Sequence, residues 1–403
     1  MPEIGECSPD VLRRRTSEKW AAHPPDVVPA FIAEMDFDVA EPIRRAAAAV
    51  IERSDLGYPH PAALGDAFAS FARAWWEWEV EPGRVHAVAD VMTGVAVVLG
   101  ACTPPGSGVV INPPVYPPFF FRVEHAERRL VPVPLREDTP GRHLLDLEAL
   151  EAALADPSVA AYLLCSPHNP LGRVWSRREL LDVAEVCARH DVLVLVDEIH
   201  APLVMEGAEF VPFLSLDHPA TKRAVVFQSA SKGWNIPGLK CGLAVAGSAE
   251  LSAVINGRWE ALFPSQPGVA GTVAAYTHPE AHAWLRAVVG QLAENRRLLA
   301  SLLPEAVPGI RAVRPEASYL VWLDFGGVGG TGGAGLGDDP AAVLLERGRV
   351  ALTSGLGFGE PGRGHARLNM GTSPELLEEI VRRVALGAAA GSQGRPRPLQ
   401  GSG

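Results

Sequence analysis

The sequence predicts an α/β protein built on a mostly parallel, seven-stranded sheet between helices, followed by a smaller α+β domain. Three observations predict it. Apolar runs at 85–91, 108–112, 130–134, 160–165, 192–196, 224–227 and 241–246 alternate with stretches of helical composition. Several of these runs are apolar without alternation, the pattern of strands buried on both faces of a sheet whose crossovers are helices. Most of them stop abruptly in polar, aromatic or proline-rich turns, and open α/β sheets bind ligands beyond the carboxyl ends of their strands.

Taken in order, residues 1–30 are polar and proline-punctuated and read as an extended arm. Ala33-Glu34-Met35-Asp36-Phe37 follows, then a helix over 41–53 with Pro42 suited to its first turn. A turn at 55–59 carries Tyr58, and a second helix spans 62–78, where Trp75, Trp76 and Trp78 are assigned to packing. After the strand at 85–91, Thr93-Gly94-Val95 is expected to open a helix running to about Cys102. The strand at 108–112 ends in Pro113-Pro114-Val115-Tyr116-Pro117-Pro118. A helix over 147–155 precedes the strand at 160–165, which ends in Ser166-Pro167-His168-Asn169-Pro170. Ser176 and Glu179 have the spacing of a capping box for the helix to His190. The strand at 192–196 ends in Asp197-Glu198-Ile199-His200, and that at 224–227 in Ser229-Ala230-Ser231-Lys232-Gly233.

Beyond about 250 the pattern changes. A long helix is expected over 279–303, either continuous or broken near Gly290. A strand at 318–324, a glycine-rich surface loop at 326–339, a strand at 365–369 and a helix at 374–386 follow. The loop lacks the GKS or GKT ending of a phosphate-binding loop. The expected division is an arm and part of the small domain at 1–48, a large domain at 49–285, a small domain at 286–389 and a disordered tail at 390–403.

Composition narrows the function classes. The 403 residues are 47% hydrophobic and 21% charged, ordinary for a globular protein, and a net charge of −11 argues against a nucleic-acid surface. No apolar run has the length of a membrane span, and residues 1–30 lack a signal-peptide core. Cys7, Cys102, Cys165, Cys187 and Cys241 are dispersed without CxxC spacing. They are read as reduced thiols of a cytoplasmic protein, not as a disulfide framework or a metal site.

The chemistry gathers around Lys232. A lysine at the end of a buried strand is desolvated, which lowers its pKa and frees the amine to attack a carbonyl. With Ser229 and Ser231 beside it as phosphate donors, the pattern suggests pyridoxal 5′-phosphate (PLP) held as a Schiff base. The other strand ends have matching uses. The amides of Gly94 and Val95 at a helix N-terminus suit a phosphate. Tyr116 can stack on a pyridine ring, Asn169 and His200 can reach the ring's phenolic oxygen, and Asp197 can keep the ring nitrogen protonated. Taken singly, each has a plainer use: Asn169 as a turn residue, Asp197 as an N-cap, His200 as a core histidine, Tyr116 as turn packing.

Together these segments resemble fold-type I PLP enzymes, the class I/II aminotransferase superfamily, and within it the MalY/PatB-type cystathionine β-lyases. The resemblance rests on Ser166-Pro167-His168-Asn169-Pro170-Leu171-Gly172, Asp197-Glu198-Ile199-His200, Ser229-Ala230-Ser231-Lys232 and Arg367-Leu368-Asn369. Ala33-Glu34-Met35-Asp36-Phe37, Asn235, Gly238-Leu239 and Tyr319-Leu320-Val321-Trp322-Leu323-Asp324 extend it. It implies that Lys232 binds PLP and moves the Cα proton. Asp197 would pair with the pyridinium, Asn169 with the phenolic oxygen, and Tyr116 would stack on the ring. Arg367 would grip the substrate α-carboxylate and Ala33 would lie beside the substrate. Gly94, Val95, Ser229 and Ser231 would surround the phosphate. Tyr58 would reach the phosphate of a neighbouring subunit, implying a homodimer with shared active sites. Two positions depart from the common aminotransferase pattern. Lys240 stands where many have a phosphate-binding arginine, keeping the charge without the planar fork. His200 stands where they commonly have tyrosine, which favours the lyase branch. The implied reaction is β-elimination from an S-substituted L-cysteine, a small-molecule substrate. The alternatives are an L-amino-acid aminotransferase and a specialised cysteine-conjugate enzyme of natural-product metabolism.

Overall fold

A computed structural model of the chain describes residues 4–5, 8–258, 262–329 and 335–389. The apolar runs form a seven-stranded sheet. In chain order its strands are β1 (Val85–Val88), β2 (Gly108–Ile111), β3 (Arg129–Pro132), β4 (Val159–Cys165), β5 (Leu193–Asp197), β6 (Ala224–Gln228) and β7 (Gly242–Ala246). The spatial order is β1-β7-β6-β5-β4-β2-β3. The pairs from β6 through β5, β4 and β2 to β3 are parallel, and β7 runs antiparallel to both β6 and β1. Successive side chains alternate between two cores, as a strand's period of two requires. Leu163, Leu195, Val225 and Phe227 pack in one, and Tyr162, Leu164, Val194, Val196 and Val226 in the other.

Helices cover the sheet. They are α1 (Glu41–Glu52), α2 (Ala62–Trp76), α3 (Val91–Cys102), α4 (Pro118–His125), α5 (Leu147–Leu154), α6 (Arg177–Arg189), the one-turn α7 (Ala230–Gly233) and α8 (Ala249–Asn256). After them come α9 (Gln266–Thr277), α10 (Pro279–Ala306), α11 (Pro340–Gly348) and α12 (Pro374–Ala389). Ser176 and Glu179 do form a reciprocal capping box at the start of α6. The tryptophans at the end of α2 and just beyond it pack as expected, Trp76 against Phe71 and Trp78 against Phe68. A second, antiparallel sheet contains β8 (Arg311–Ala312), β9 (Leu320–Asp324), β10 (Thr353–Ser354) and β11 (His365–Asn369), ordered β8-β9-β11-β10.

Several boundaries differ from the sequence reading for identifiable reasons. The first strand stops at Val88 and α3 begins at Val91, because Asp90 caps it: its side chain accepts the Thr93 N–H at 2.8 Å. Strand β9 begins at Leu320 because Ser318 is left-handed, with φ +75°. Helix α10 runs unbroken through Gly290, whose exposed side of the helix meets no neighbour. Helix α4 and a hairpin of Arg136–Thr139 with Arg142–Leu144 were not foreseen, since their residues show neither clear period. Residues 330–334 of the glycine-rich loop, parts of the N-terminal arm and the tail at 390–403 lie outside the described residues. Among the described residues no helix is long and apolar enough to cross a membrane, and no cluster of His, Cys, Asp and Glu could hold a metal.

Candidate active site

Parallel strands deliver their C-terminal ends to one edge of the sheet, and the turns that follow make a pocket there of about 270 Å³. Lys232 enters from α7, directly after β6. Ser229 caps that short helix by accepting the Ser231 N–H at 3.1 Å. Its hydroxyl in turn donates to the Cys241 carbonyl at 2.7 Å. The Ser229 hydroxyl proton is therefore engaged within the turn, while the residue also lines the pocket. Ser231 lines the pocket.

Burial is the main force on the charged groups. It depresses the Lys232 ammonium from 10.5 to about 8, and Arg367 adds to the effect. It lifts the Asp197 carboxyl from 3.8 to about 6, against the Ile199 N–H, which donates to it at 3.1 Å, and the attraction of Lys232. It pushes His200 down to about 3, and Lys232 and Arg367 push the same way, so the imidazole is neutral. His200 Nδ1 is buried without a hydrogen-bond partner. Burial also raises the Tyr116 phenol to about 12, keeping it protonated. Asn169 lines the same pocket.

Arg367 stands behind Asn169 on β11. Its guanidinium donates to Asn169 Oδ1 at 3.0 Å and to the Phe31 carbonyl and Thr353 hydroxyl, each at 3.2 Å, and lies over the Phe358 ring. The contact leaves the Asn169 amide N–H groups pointing elsewhere, so one side chain can link Arg367 to the pocket.

Ala33 lies in a strap of residues 31–37 held by side-chain hydrogen bonds from Lys232, Asn235, Tyr319 and Asn369. Its carbonyl accepts from Lys232 Nζ at 2.8 Å and from the Tyr319 hydroxyl at 2.9 Å. Asn369 donates to the Ile32 and Glu34 carbonyls, and Asn235 brackets Met35 by accepting its N–H and donating to its carbonyl. At the far end Asp36 accepts from Lys19 at 2.9 Å and from Trp20 Nε1 at 2.8 Å; both members of the ion pair are 1% exposed. The strap's backbone is thus tied to the second sheet through Asn369 and Thr353 and to the α7 segment through Lys232 and Asn235.

Two expected site positions are corrected. Gly94 and Val95 do not line the pocket. The Gly94 N–H donates to the Asp90 carbonyl at 3.0 Å, one turn into α3, and Val95 is fully buried. A Cβ on Gly94 would stand 2.9 Å from Phe227, so the glycine allows α3 to approach the sheet. The helix's first amides belong to Val91 and Met92, and these residues do line the pocket. The Ala-Asp-Val sequence carries an N-cap signal that would have located them. Lys240 lines the pocket but is paired with Asp90 at 2.6 Å. Tyr58 is elsewhere, 88% exposed and against Phe263. Phe121 and Arg122 of α4 also line the pocket and were missed, because α4 itself was not foreseen.

Residues 32–384 match the family model Aminotransferase class I and II. A Mycobacterium leprae relative is 41% identical over 93% of this chain and 95% of its own. Cystathionine beta-lyase PatB of Bacillus subtilis is 34% identical over 89% of this chain and 92% of its own. The crystal structure of cystalysin from Treponema denticola superposes with a TM-score of 0.88 at 24% identity, covering 97% of this chain and 99% of that one, a likeness of fold. The chain belongs to the class I and II aminotransferase family and, within it, to the MalY/PatB-type branch.

Proposed function

We propose that this chain is a PLP-dependent carbon–sulfur β-lyase that cleaves an S-substituted L-cysteine. The observation that carries the reading is a strand-end lysine with a depressed pKa beside a buried carboxylate that, among the described residues, forms no ion pair. The donor set fits the cofactor. Asp197 is a carboxylate that burial disfavours unless a cation such as a protonated pyridine nitrogen meets it. The unpartnered His200 Nδ1 is a polar atom awaiting a ligand. The α3 N-terminus, Ser231 and Lys240 suit a phosphate.

PLP supplies an electron sink that stabilises negative charge at the substrate's α-carbon. The chain's own residues do the rest. Lys232 would hold the cofactor through its amine and serve as the base for the substrate's Cα proton; a value near 8 leaves that amine partly neutral near pH 7. Asp197 would hold the pyridine nitrogen protonated. Asn169 and His200 would orient the phenolic oxygen, Tyr116 would cover the ring face, and Arg367 would take the α-carboxylate through a planar fork. The Ala33 carbonyl, fixed by Tyr319, holds the lysine amine in position. Loss of the Cα proton expels the thiolate from Cβ. Overall one water is consumed, and thiol, pyruvate and ammonium are released.

A homodimer with shared sites belongs to the same proposal. Tyr58 is exposed with Ile51 and Leu56 nearby in sequence, at 61% and 63%, a surface suited to a second copy. A reducing, cytoplasmic setting is supported by Cys102, Cys165, Cys187 and Cys241, all free. The family also contains transaminases such as arginine–pyruvate transaminase AruH of Pseudomonas aeruginosa, 29% identical to this chain. The deciding assay incubates the holoenzyme with L-cystathionine and other S-substituted cysteines, without any keto acid, and measures pyruvate and thiol. Repeated turnover to equal amounts of both supports the lyase. A single conversion that only a keto acid reverses would make it an aminotransferase.

A further inference from the structure

We infer that Arg122 is the specificity residue for the departing half of the substrate, and that it binds a carboxylate carried there. The inference rests on the cysteine-conjugate reading above. Helix α4 turns Pro118, Phe121 and Arg122 toward the pocket that contains Lys232, the spacing of one helical face. Arg122 Nε is buried and has no hydrogen-bond partner, and among the described residues the guanidinium has no ion pair. The neighbouring cations each have a protein partner, which Arg122 lacks among the described residues: Lys232 has Ala33, Lys240 has Asp90, and Arg367 has Asn169 and Thr353. A buried donor left unpaired is costly, so an unpaired guanidinium facing a ligand pocket implies an anion on that ligand. The cofactor phosphate already has the α3 amides, Ser231 and Lys240, and the substrate α-carboxylate has Arg367. The anion left to Arg122 is a second carboxylate, on the thiol-derived side.

The test compares the holoenzyme with Arg122→Met and Arg122→Lys on two matched substrates, S-(2-carboxyethyl)-L-cysteine and S-propyl-L-cysteine. The readouts are the ratio of their kcat/KM values and the PLP dissociation constant from titration of cofactor-free protein. Loss of one charge-assisted contact should lower the carboxyethyl-over-propyl ratio by about 10- to 100-fold in Arg122→Met. The lysine variant should recover part of it, and the PLP constant should stay within about twofold. An unchanged ratio overturns the inference. So does a weakened PLP constant with both substrates falling alike, which would assign Arg122 to the cofactor phosphate. If the wild type eliminates neither substrate, the lyase reading fails separately. The dissociation constants of both compounds, read from the cofactor's absorbance, then decide on Arg122: tighter carboxyethyl binding that Arg122→Met abolishes supports it, and equal binding refutes it.

Discussion

Replacing Asp197 by asparagine should make the cofactor-free protein more stable while crippling the holoenzyme. Burial lifts this carboxyl from 3.8 to about 6. At about 1.4 kcal/mol per pH unit, keeping it ionised inside the fold costs about 3 kcal/mol relative to the unfolded chain. The sign follows from the folded value lying above the unfolded one. The cost is absent below about pH 4, grows between about 4 and 6, and is fully present at pH 7. Asparagine preserves the shape and the acceptor for the Ile199 N–H but carries no charge. Urea unfolding of the cofactor-free proteins should show Asp197→Asn more stable by about 2–3 kcal/mol at pH 7, with the gap closing towards pH 4. Adding PLP should reverse the order, because only the wild type gains a buried ion pair. Equal stabilities at pH 7, or a gap that does not depend on pH, would refute the view that Asp197 is a strained charge awaiting a cation.

Two further substitutions probe the parts that hold the site. Lys19→Met breaks an ion pair that is 1% exposed on both sides and leaves Asp36 buried without its cation. Urea unfolding should show a loss of about 3–5 kcal/mol, and the strap's loosening should lower kcat/KM in the variant that still folds. Gly94→Ala puts a Cβ 2.9 Å from Phe227. It should cost about 1–3 kcal/mol of stability by overpacking, measured by thermal melting, with PLP affinity in the folded fraction nearly unchanged because the Gly94 amide is outside the pocket.

Much of the architecture was legible because strands buried on both faces leave continuous apolar runs, and their polar ends stand out against them. Lys232, Asp197, Asn169 and His200 stood out for that reason, each lying at or within a few residues of a strand's end, and all four line the one pocket. What failed was decided by local competition. The apolar run at 85–91 hides a change from strand to helix that the Asp90 cap dictates, so the first amides of the helix were placed one turn late, at Gly94 and Val95. Ser229 lines the pocket as its place after a strand suggests, but its hydroxyl proton is bonded to the Cys241 carbonyl, a contact no local pattern encodes. The strap illustrates the opposite limit: Ala33-Glu34-Met35-Asp36-Phe37 could be recognised as a motif, yet its bonds to Lys19, Asn235, Tyr319 and Asn369 join residues far apart in the chain, and no local pattern encodes them.

The most direct test of the central claim is where the cofactor is attached. The chain has four lysines, Lys19, Lys222, Lys232 and Lys240. Borohydride reduction of the yellow holoenzyme, followed by proteolysis and mass spectrometry, should find the reduced cofactor on Lys232 alone, and Lys232→Ala should yield a colourless protein without that adduct. Attachment at any other lysine, or an unmodified chain after reduction, would contradict the account.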